Sequence, residues 1–397
     1  MGARAGLIFG PPAAVLTGWA TLCCMNAECP PPSPSPAPAG CLPASGFLLC
    51  SCQGGAEAAL RGRAAAVLPA ARPAVWRRGL VTFRLPAGDL GAGAERRSLD
   101  DLAAELVFAR TVIHSLGQVT GADDSSLAAA AVVRAGRSDW QGVHVWSRAG
   151  RSGVAVVDEQ VAAARAAVVA ACGLPSETAI VAEPGCRLLD CVIDSPDRWW
   201  VGWHQAAGLP SRWPGGNYPP AAQPLPAGRV SRAWLKLDEA IASFELPLVR
   251  GQRAVELGAA PGGASQRLLE AGLRVVGVDP ALVDPTVAGA SGFTQWRMRA
   301  REVPLRRFKG TDWLVADMNI DPTSTLDALG RIATAEGVRL EGIIATLKIP
   351  HWSRAVELPA WLDAFRGWGF LPRARQLSSS GREICVVALR SPARQRS

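Results

Sequence analysis

Apolar residues along this chain follow two periods. Short apolar runs bounded by Gly, Pro or Ser predict strands, and three- and four-residue spacings predict helices. From Gly46 onward, 47–50 reads as a strand, about 55–67 as an Ala-rich helix and 80–84 as a second strand. Residues 143–146 predict a further strand, 154–171 an Ala/Val helix, and 186–193 with 199–203 a pair of strands split by Ser195-Pro-Asp. This irregular mixture predicts an α+β region. After about residue 229 the alternation becomes regular. Ser231 is placed to cap a helix in which Trp234, Leu237, Ile241 and Phe244 recur at helical steps. Strands follow at 253–257, 274–279, 294–298, 312–317 and 342–347, with helices after Gly263 and at about 322–335 and 354–367. The last two strands, 369–377 and 383–389, predict an antiparallel hairpin at one end of a mostly parallel sheet covered on both faces.

Between the two regions, 208–228 is rich in Pro and Gly and predicts a linker. The first 45 residues include a Pro-rich tract and predict a low-complexity, disordered leader; Pro11 and Pro12 interrupt the apolar stretch that a signal peptide would need. The chain thus divides into a leader over 1–45, an α+β region over 46–207, a linker over 208–228 and an α/β domain over 229–397. No apolar run reaches the length of a membrane span. Hydrophobic residues at 49% and charged residues at 19% give an ordinary globular composition, and a formal charge of +8 permits a polyanionic partner. Six of the ten cysteines fall within the first 52 residues without paired CxxC spacing, and none of the four histidines lies in an HExxH or HxxxH arrangement. No metal site is expected.

The densest chemistry lies in Val255-Glu-Leu-Gly-Ala-Ala-Pro-Gly-Gly, where a strand runs through a glycine-rich turn into a helix. Such a turn lets backbone approach a nucleotide-like ligand, and Asp279, at the end of the next strand, is placed to take ribose hydroxyls. The turn is not GxGxxG, and Pro261 occupies its centre. Those two features favour a smaller adenosine-bearing ligand over a dinucleotide pyrophosphate.

Glu256-Leu-Gly-Ala-Ala-Pro-Gly-Gly is similar to the S-adenosylmethionine loop of the FtsJ-type 2′-O-ribose RNA methyltransferases. Ser231-Arg-Ala-Trp-Leu-Lys-Leu resembles the helix before that loop, Ala316-Asp-Met the end of the fourth strand, Thr346-Leu-Lys-Ile-Pro the end of the fifth, and Gly381-Arg-Glu the start of the last. The resemblance, over about 229–390, implies a Rossmann-like methyltransferase domain with a Lys-Asp-Lys-Glu tetrad at Lys236, Asp317, Lys348 and Glu383. It also implies S-adenosylmethionine as cofactor, held around Glu256, Gly258, Ala259, Pro261, Gly262, Gly263, Asp279 and Asp317. Leu106-Val-Phe-Ala-Arg, Leu347-Lys-Ile-Pro and the 210–220 stretch resemble the branch of that family that carries an N-terminal THUMP RNA-binding module and methylates a cytidine of 23S ribosomal RNA. That likeness implies a cytoplasmic enzyme acting on 23S rRNA or its precursor particle, with neither membrane nor protein partner.

A ribose hydroxyl is a poor nucleophile at neutral pH, so transfer benefits from a base within hydrogen-bond reach. Lys348 is the candidate base and Lys236 the neighbouring cation that positions the nucleotide. Asp317 and Glu383 orient the lysines, although their charge opposes deprotonation. Two departures from the family stand out: Ala264 replaces a common tryptophan, and Arg297-Met-Arg-Ala-Arg stands where an acidic adenine contact is usual. The latter opens a basic stretch, reaching Arg306, Arg307 and Lys309, whose charge suits phosphates. Trp199, Trp200 and Trp203 read as core. Rival readings are an RNA-binding protein without turnover, a nicotinamide oxidoreductase using the glycine turn, and a methyltransferase of tRNA or another RNA.

Overall fold

The computed structural model describes residues 46–86, 98–148, 158–219 and 225–391. The expected leader, with Cys23, Cys24, Cys29 and Cys41, lies outside the described residues, as does the start of the helix expected from Val154.

Two seven-stranded sheets organise the described chain. The first is built from β1 (Gly46–Cys52), β2 (Arg72–Arg77), β3 (Leu80–Leu85), β4 (Ala109–Thr120), β5 (Gly142–Ser147), β6 (Arg187–Ser195) and β7 (Arg198–Gln205). Between them run α1 (Glu57–Val67), α2 (Leu99–Leu106), α3 (Asp124–Ala135) and α4 (Asp158–Ala171). The strand order is β2-β3-β1-β4-β7-β6-β5, antiparallel throughout except for β5 with β6. Trp199 and Val201 face Leu127, Ala131, Val168 and Val169 of α3 and α4, whereas Trp200 and Val192 face the other side with Trp146 and Ile113. Trp199 and Trp200 are core residues, as expected, because successive strand side chains alternate between two covered faces.

Four elements here have no counterpart in the sequence reading: β2, α2, β4 and α3. The twelve-residue β4 sits centrally between β1 and β7, but Arg110, His114, Ser115 and Gln118 mask its alternation. Helix α3 is fixed by local bonds: Asp123 and Ser126 form a reciprocal capping box, and Gly136 closes the far end in a left-handed conformation.

Residues 209–216 of the stretch read as a linker are packed against the first sheet. Leu209–Arg212 and Pro214–Gly216 form 3₁₀ turns laid against the first sheet. Ser51 Oγ donates to the Gly215 carbonyl at 2.8 Å, and Trp213 is buried. A Cβ on Gly216 would stand 2.3 Å from the Arg110 carbonyl oxygen, so glycine at φ +69° is what lets the backbone lie flat. Residues 208–217 are a strap over the sheet, their prolines and glycines serving close packing.

The second sheet comprises β8 (Arg253–Leu257), β9 (Arg274–Val278), β10 (Phe293–Trp296), β11 (Trp313–Ala316), β12 (Gly342–Lys348), β13 (Phe370–Arg375) and β14 (Glu383–Arg390). Its helices are α5 (Ala233–Phe244), α6 (Gly263–Glu270), α7 (Pro285–Ala288), α8 (Pro322–Ala333) and α9 (Leu358–Gly367). The order β10-β9-β8-β11-β12-β14-β13 has five parallel strands and an antiparallel pair at one edge, as the alternation predicts. Ala254, Trp313 and Val315 pack with Leu237 and Phe244 of α5 and Leu268 of α6. Their strand neighbours Val255, Leu257 and Leu314 pack with Leu329 of α8 and Phe365 of α9. Both faces being covered, the strands read as nearly continuous apolar runs. From β8 the chain proceeds to β9 on one side and returns to β11 on the other, which opens a crevice at the carboxyl ends of these strands.

One expectation at α5 is overturned. Ser231 does not cap it: the helix starts at Ala233, Arg232 holds the cap position without a side-chain bond, and Ser231 Oγ is buried without a hydrogen-bond partner. Gly263 approaches so closely that a Cβ there would lie 2.2 Å from Ser231 Oγ, which fixes Ser231 as a packing contact for the start of α6.

Candidate functional site

Lys236 comes from the second turn of α5, Asp317 follows the last residue of β11, Lys348 ends β12 and Glu383 begins β14. Because β12 and β14 are antiparallel with Lys348 registered opposite Glu383, the end of one strand and the start of the other meet at the same edge of the sheet. The four side chains converge. Lys348 Nζ donates to Asp317 Oδ1 at 2.8 Å and to Glu383 Oε2 at 2.5 Å. Lys236 Nζ donates to Asp317 Oδ2 at 3.3 Å and lies 2.8 Å from Glu383 Oε1 as an ion pair. Each carboxylate therefore bridges both ammonium groups, in a closed square of alternating charge.

The electrostatics of the square follow from this geometry. Burial disfavours the charged form of Asp317 and Glu383, but Lys236 and Lys348 outweigh it and hold both carboxyls below their ordinary range. Burial likewise disfavours the Lys348 ammonium, and Asp317 with Glu383 overrides it, raising the lysine above its ordinary value. In this arrangement the two carboxylates prevail.

The glycine turn lies at the head of β8, one strand from Asp317. Gly258 at φ +80° would place a Cβ 2.9 Å from Met318 Cγ and 3.1 Å from the Asp317 carbonyl oxygen. Gly262 at φ +118° would place one 3.0 Å from Val287 of α7. Side chains there would crowd Met318, the Asp317 backbone and Val287, and a left-handed backbone at both points favours glycine. Ala259 is buried beneath the turn and Pro261 is exposed at its tip. Asp279 Oδ2 accepts the Ala260 N–H at 3.1 Å and Oδ1 the Ala281 N–H at 2.8 Å. Each oxygen keeps a further lone pair for a hydroxyl. Glu256 is 1% exposed and accepts a 2.5 Å bond from Ser265 Oγ, which ties the strand end to the first turn of α6. Burial pushes its carboxyl up to about 8 against that bond.

Beside the square, a cavity of about 470 Å³ is lined by Asn319, Ile320, Asp321, Lys348, Pro350 and Arg382, among others. Two members of the square, Lys348 and Glu383, form part of its wall. The basic stretch after β10 does not form one patch. Arg297, Arg299 and Arg301 are exposed just beyond the carboxyl end of β10, whereas the Arg307 and Lys309 carbonyls accept from Arg253 at the opposite end of the sheet.

Glu239 is a supporting residue that the sequence reading passed over. It is 0% exposed and accepts from Ser378 N at 2.7 Å, Ser378 Oγ at 3.0 Å and Ser379 N at 2.8 Å. One helical turn after Lys236, it holds the segment that leads into Glu383. Its signal in the sequence is an acidic residue inside the buried face of α5, between Leu235 and Ala240. Tyr218 N donates to Ser378 Oγ at 2.9 Å, and Gln376 N donates to the Val107 carbonyl, so the same segment is gripped from the strap and from the C-terminal end of α2.

A family model described as FtsJ-like methyltransferase matches residues 229–340. A protein of Halorhodospira halophila described as ribosomal RNA large subunit methyltransferase M is 30% identical over 327 residues, covering 80% of this chain and 87% of the relative. A Methylococcus capsulatus protein of the same description is 37% identical over 138 residues, or 34% of this chain and 38% of the relative. Among solved structures, TrmN from Thermus thermophilus aligns with 87% of this chain and 99% of its own at 16% identity and a TM-score of 0.31, too distant to add to these matches.

Proposed function

Since the chain belongs to the ribosomal RNA large subunit methyltransferase M family, we propose that it is an S-adenosylmethionine-dependent 2′-O-methyltransferase of a cytidine ribose in 23S ribosomal RNA. The observation that carries the chemistry is the square of Lys236, Asp317, Lys348 and Glu383, set between the glycine turn and the cavity. The N-terminal sheet is read as the THUMP-containing part that binds RNA, and the cytoplasm as its place of work. No helix among the described residues is long and apolar enough to cross a membrane.

The residues around the turn fit S-adenosylmethionine: Gly258 and Gly262 let the backbone turn tightly, Gly263 seats the start of α6 against Ser231, Asp279 has lone pairs for the ribose hydroxyls, and Ala259, Pro261 and Asp317 frame the rest. When bound, that cofactor supplies an activated methyl group on a sulfonium centre. The protein's share is alignment and proton handling. A ribose entering the cavity presents its 2′-hydroxyl to Lys348 Nζ, which accepts the hydroxyl proton as the oxygen attacks. Lys236 holds Asp317 and Glu383 from the far side, so neither carboxylate swings away when Lys348 changes charge. Lys348 is an ammonium in the resting square, so each productive encounter requires that it first release a proton to solvent.

Methyl transfer to RNA lacking the modification, followed by nucleoside digestion, tests this reading. Label in 2′-O-methylcytidine from 23S rRNA, absent with Lys348→Ala, is the expected result. Label confined to tRNA or to another nucleoside would move the substrate, and no transfer despite cofactor binding would remove the activity.

A further inference from the structure

Apart from the candidate catalytic centre, the first sheet contains a buried polar cluster. His144 on β5, Asp190 on β6 and His204 on β7 project from the same face: His144 and Asp190 are register partners, and His204 stands opposite Leu188, two residues before Asp190. Their side chains are 1%, 0% and 2% exposed. The neighbours on that face, Trp146, Val192 and Trp200, are apolar. A carboxylate and two imidazoles buried among such residues are costly unless their polar atoms are satisfied.

They are only partly satisfied. His204 Nδ1 is 2.5 Å from Asp190 Oδ2, and its Nε2 is 2.8 Å from the Ser211 carbonyl of the strap. Asp190 Oδ1 and the His144 Nδ1 that faces it close no hydrogen bond, while the Arg212 backbone approaches the His144 ring. His144 Nδ1 and Asp190 Oδ1 are 3.8 Å apart, too far for a hydrogen bond and near the roughly 3.3 Å edge that two ligands of a tetrahedral zinc ion span. One ligand atom from each of the three residues can be chosen so that all lie within 4.8 Å of one another. Both imidazoles thus offer Nδ1 to one carboxylate, one to each oxygen, while a strap carbonyl anchors the Nε2 side of His204. A histidine whose Nε2 is held by a backbone carbonyl can turn its Nδ1 to a metal ion once the proton shared with Asp190 is released.

We propose that His144, Asp190 and His204 form a structural site for a divalent transition-metal ion of the zinc class, buried between the first sheet and the 208–217 strap. The ion takes the place of the proton between His204 Nδ1 and Asp190, which leaves to solvent, and the 2.5 Å contact there opens by roughly 1 Å to tetrahedral spacing. It pairs the free oxygen of Asp190 and the free nitrogen of His144. By pinning Ser211 over the sheet through His204, it steadies the strap that continues to Tyr218 and Ser378. The ligands come from three strands far apart in sequence, so no ligand spacing announces them.

The test uses the full chain produced without a histidine tag, equilibrated with zinc, passed over a desalting column and measured for metal content. The expected result is close to one equivalent, with Co²⁺ giving the visible bands of a low-coordinate nitrogen/oxygen site and a chelator lowering the melting temperature. His144→Gln and Asp190→Asn should each lose the metal while retaining S-adenosylmethionine binding. Less than about a tenth of an equivalent in the wild-type protein, or a full equivalent retained by the His144→Gln/Asp190→Asn double variant, would overturn the proposal. The wild-type measurement decides even if the variants do not fold.

Discussion

Lys348 stands between two carboxylates, and its titration governs how the proposed reaction responds to pH. Asp317 and Glu383 hold its pKa above the ordinary lysine value, so the neutral amine is a small fraction near neutrality and grows as pH rises. The transfer rate is therefore expected to climb with pH across the alkaline range, approaching tenfold per unit where chemistry limits turnover. Single-turnover rates at a series of pH values check this, and a flat profile from neutrality upward would contradict the role of Lys348 as base. Replacing it with Ala is expected to cost about 10²–10⁴-fold in rate, the usual contribution of a positioned base, with cofactor binding retained. Glu256 gives a separate test of electrostatics. Its folded-state pKa, raised to about 8, means that the native protein favours the protonated acid, so its contribution to stability is full below the unfolded pKa and is lost as pH rises towards 8. Glu256→Gln is expected to keep the Ser265 bond and to flatten the decline of melting temperature between about pH 5 and 8. The four members of the square were legible as residues because the segments that carry them, one inside α5 and three at strand ends, each resemble a segment of the FtsJ-type family. The direction of the Lys348 shift was not, since it depends on which charges lie closest.

At the scale of elements, the segment 376–380 connects everything that positions Glu383. Glu239 grips it from α5, Tyr218 from the strap and Val107 from the C-terminal end of α2. Glu239→Gln removes a charged acceptor of three bonds and is expected to lower stability by about 1–3 kcal/mol and to slow transfer without weakening cofactor binding. Thermal melts and single-turnover rates check both parts. Gly258→Ala forces a Cβ against Met318 at a left-handed backbone position, and a marked loss of cofactor affinity by calorimetry is expected. The α/β half was legible because its strands are short apolar runs between helices whose stripes face them. In the first half, β4 and α3 were hidden by polar residues and by an Ala-rich helix that gives little contrast between faces. The strap was hidden by its own composition, since Pro and Gly serve a linker and a tightly apposed backbone equally well.

Across the whole molecule, one sheet carries the proposed chemistry and the other meets it through the segment beside Glu383. A net charge of +8 and the exposed Arg297, Arg299 and Arg301 beyond β10 suit a polyanionic substrate, whose binding should weaken steeply with salt. The central claim is that the square of two lysines and two carboxylates methylates ribose in large-subunit ribosomal RNA. The most direct measurement is transfer of tritiated methyl from S-adenosylmethionine to ribosomal RNA, free or in precursor particles, from cells lacking this protein, with Lys348→Ala alongside. The account predicts label in 2′-O-methylcytidine of 23S rRNA with the wild-type protein and none with the variant. Equal label from both proteins, or no label from either despite cofactor binding, would contradict it.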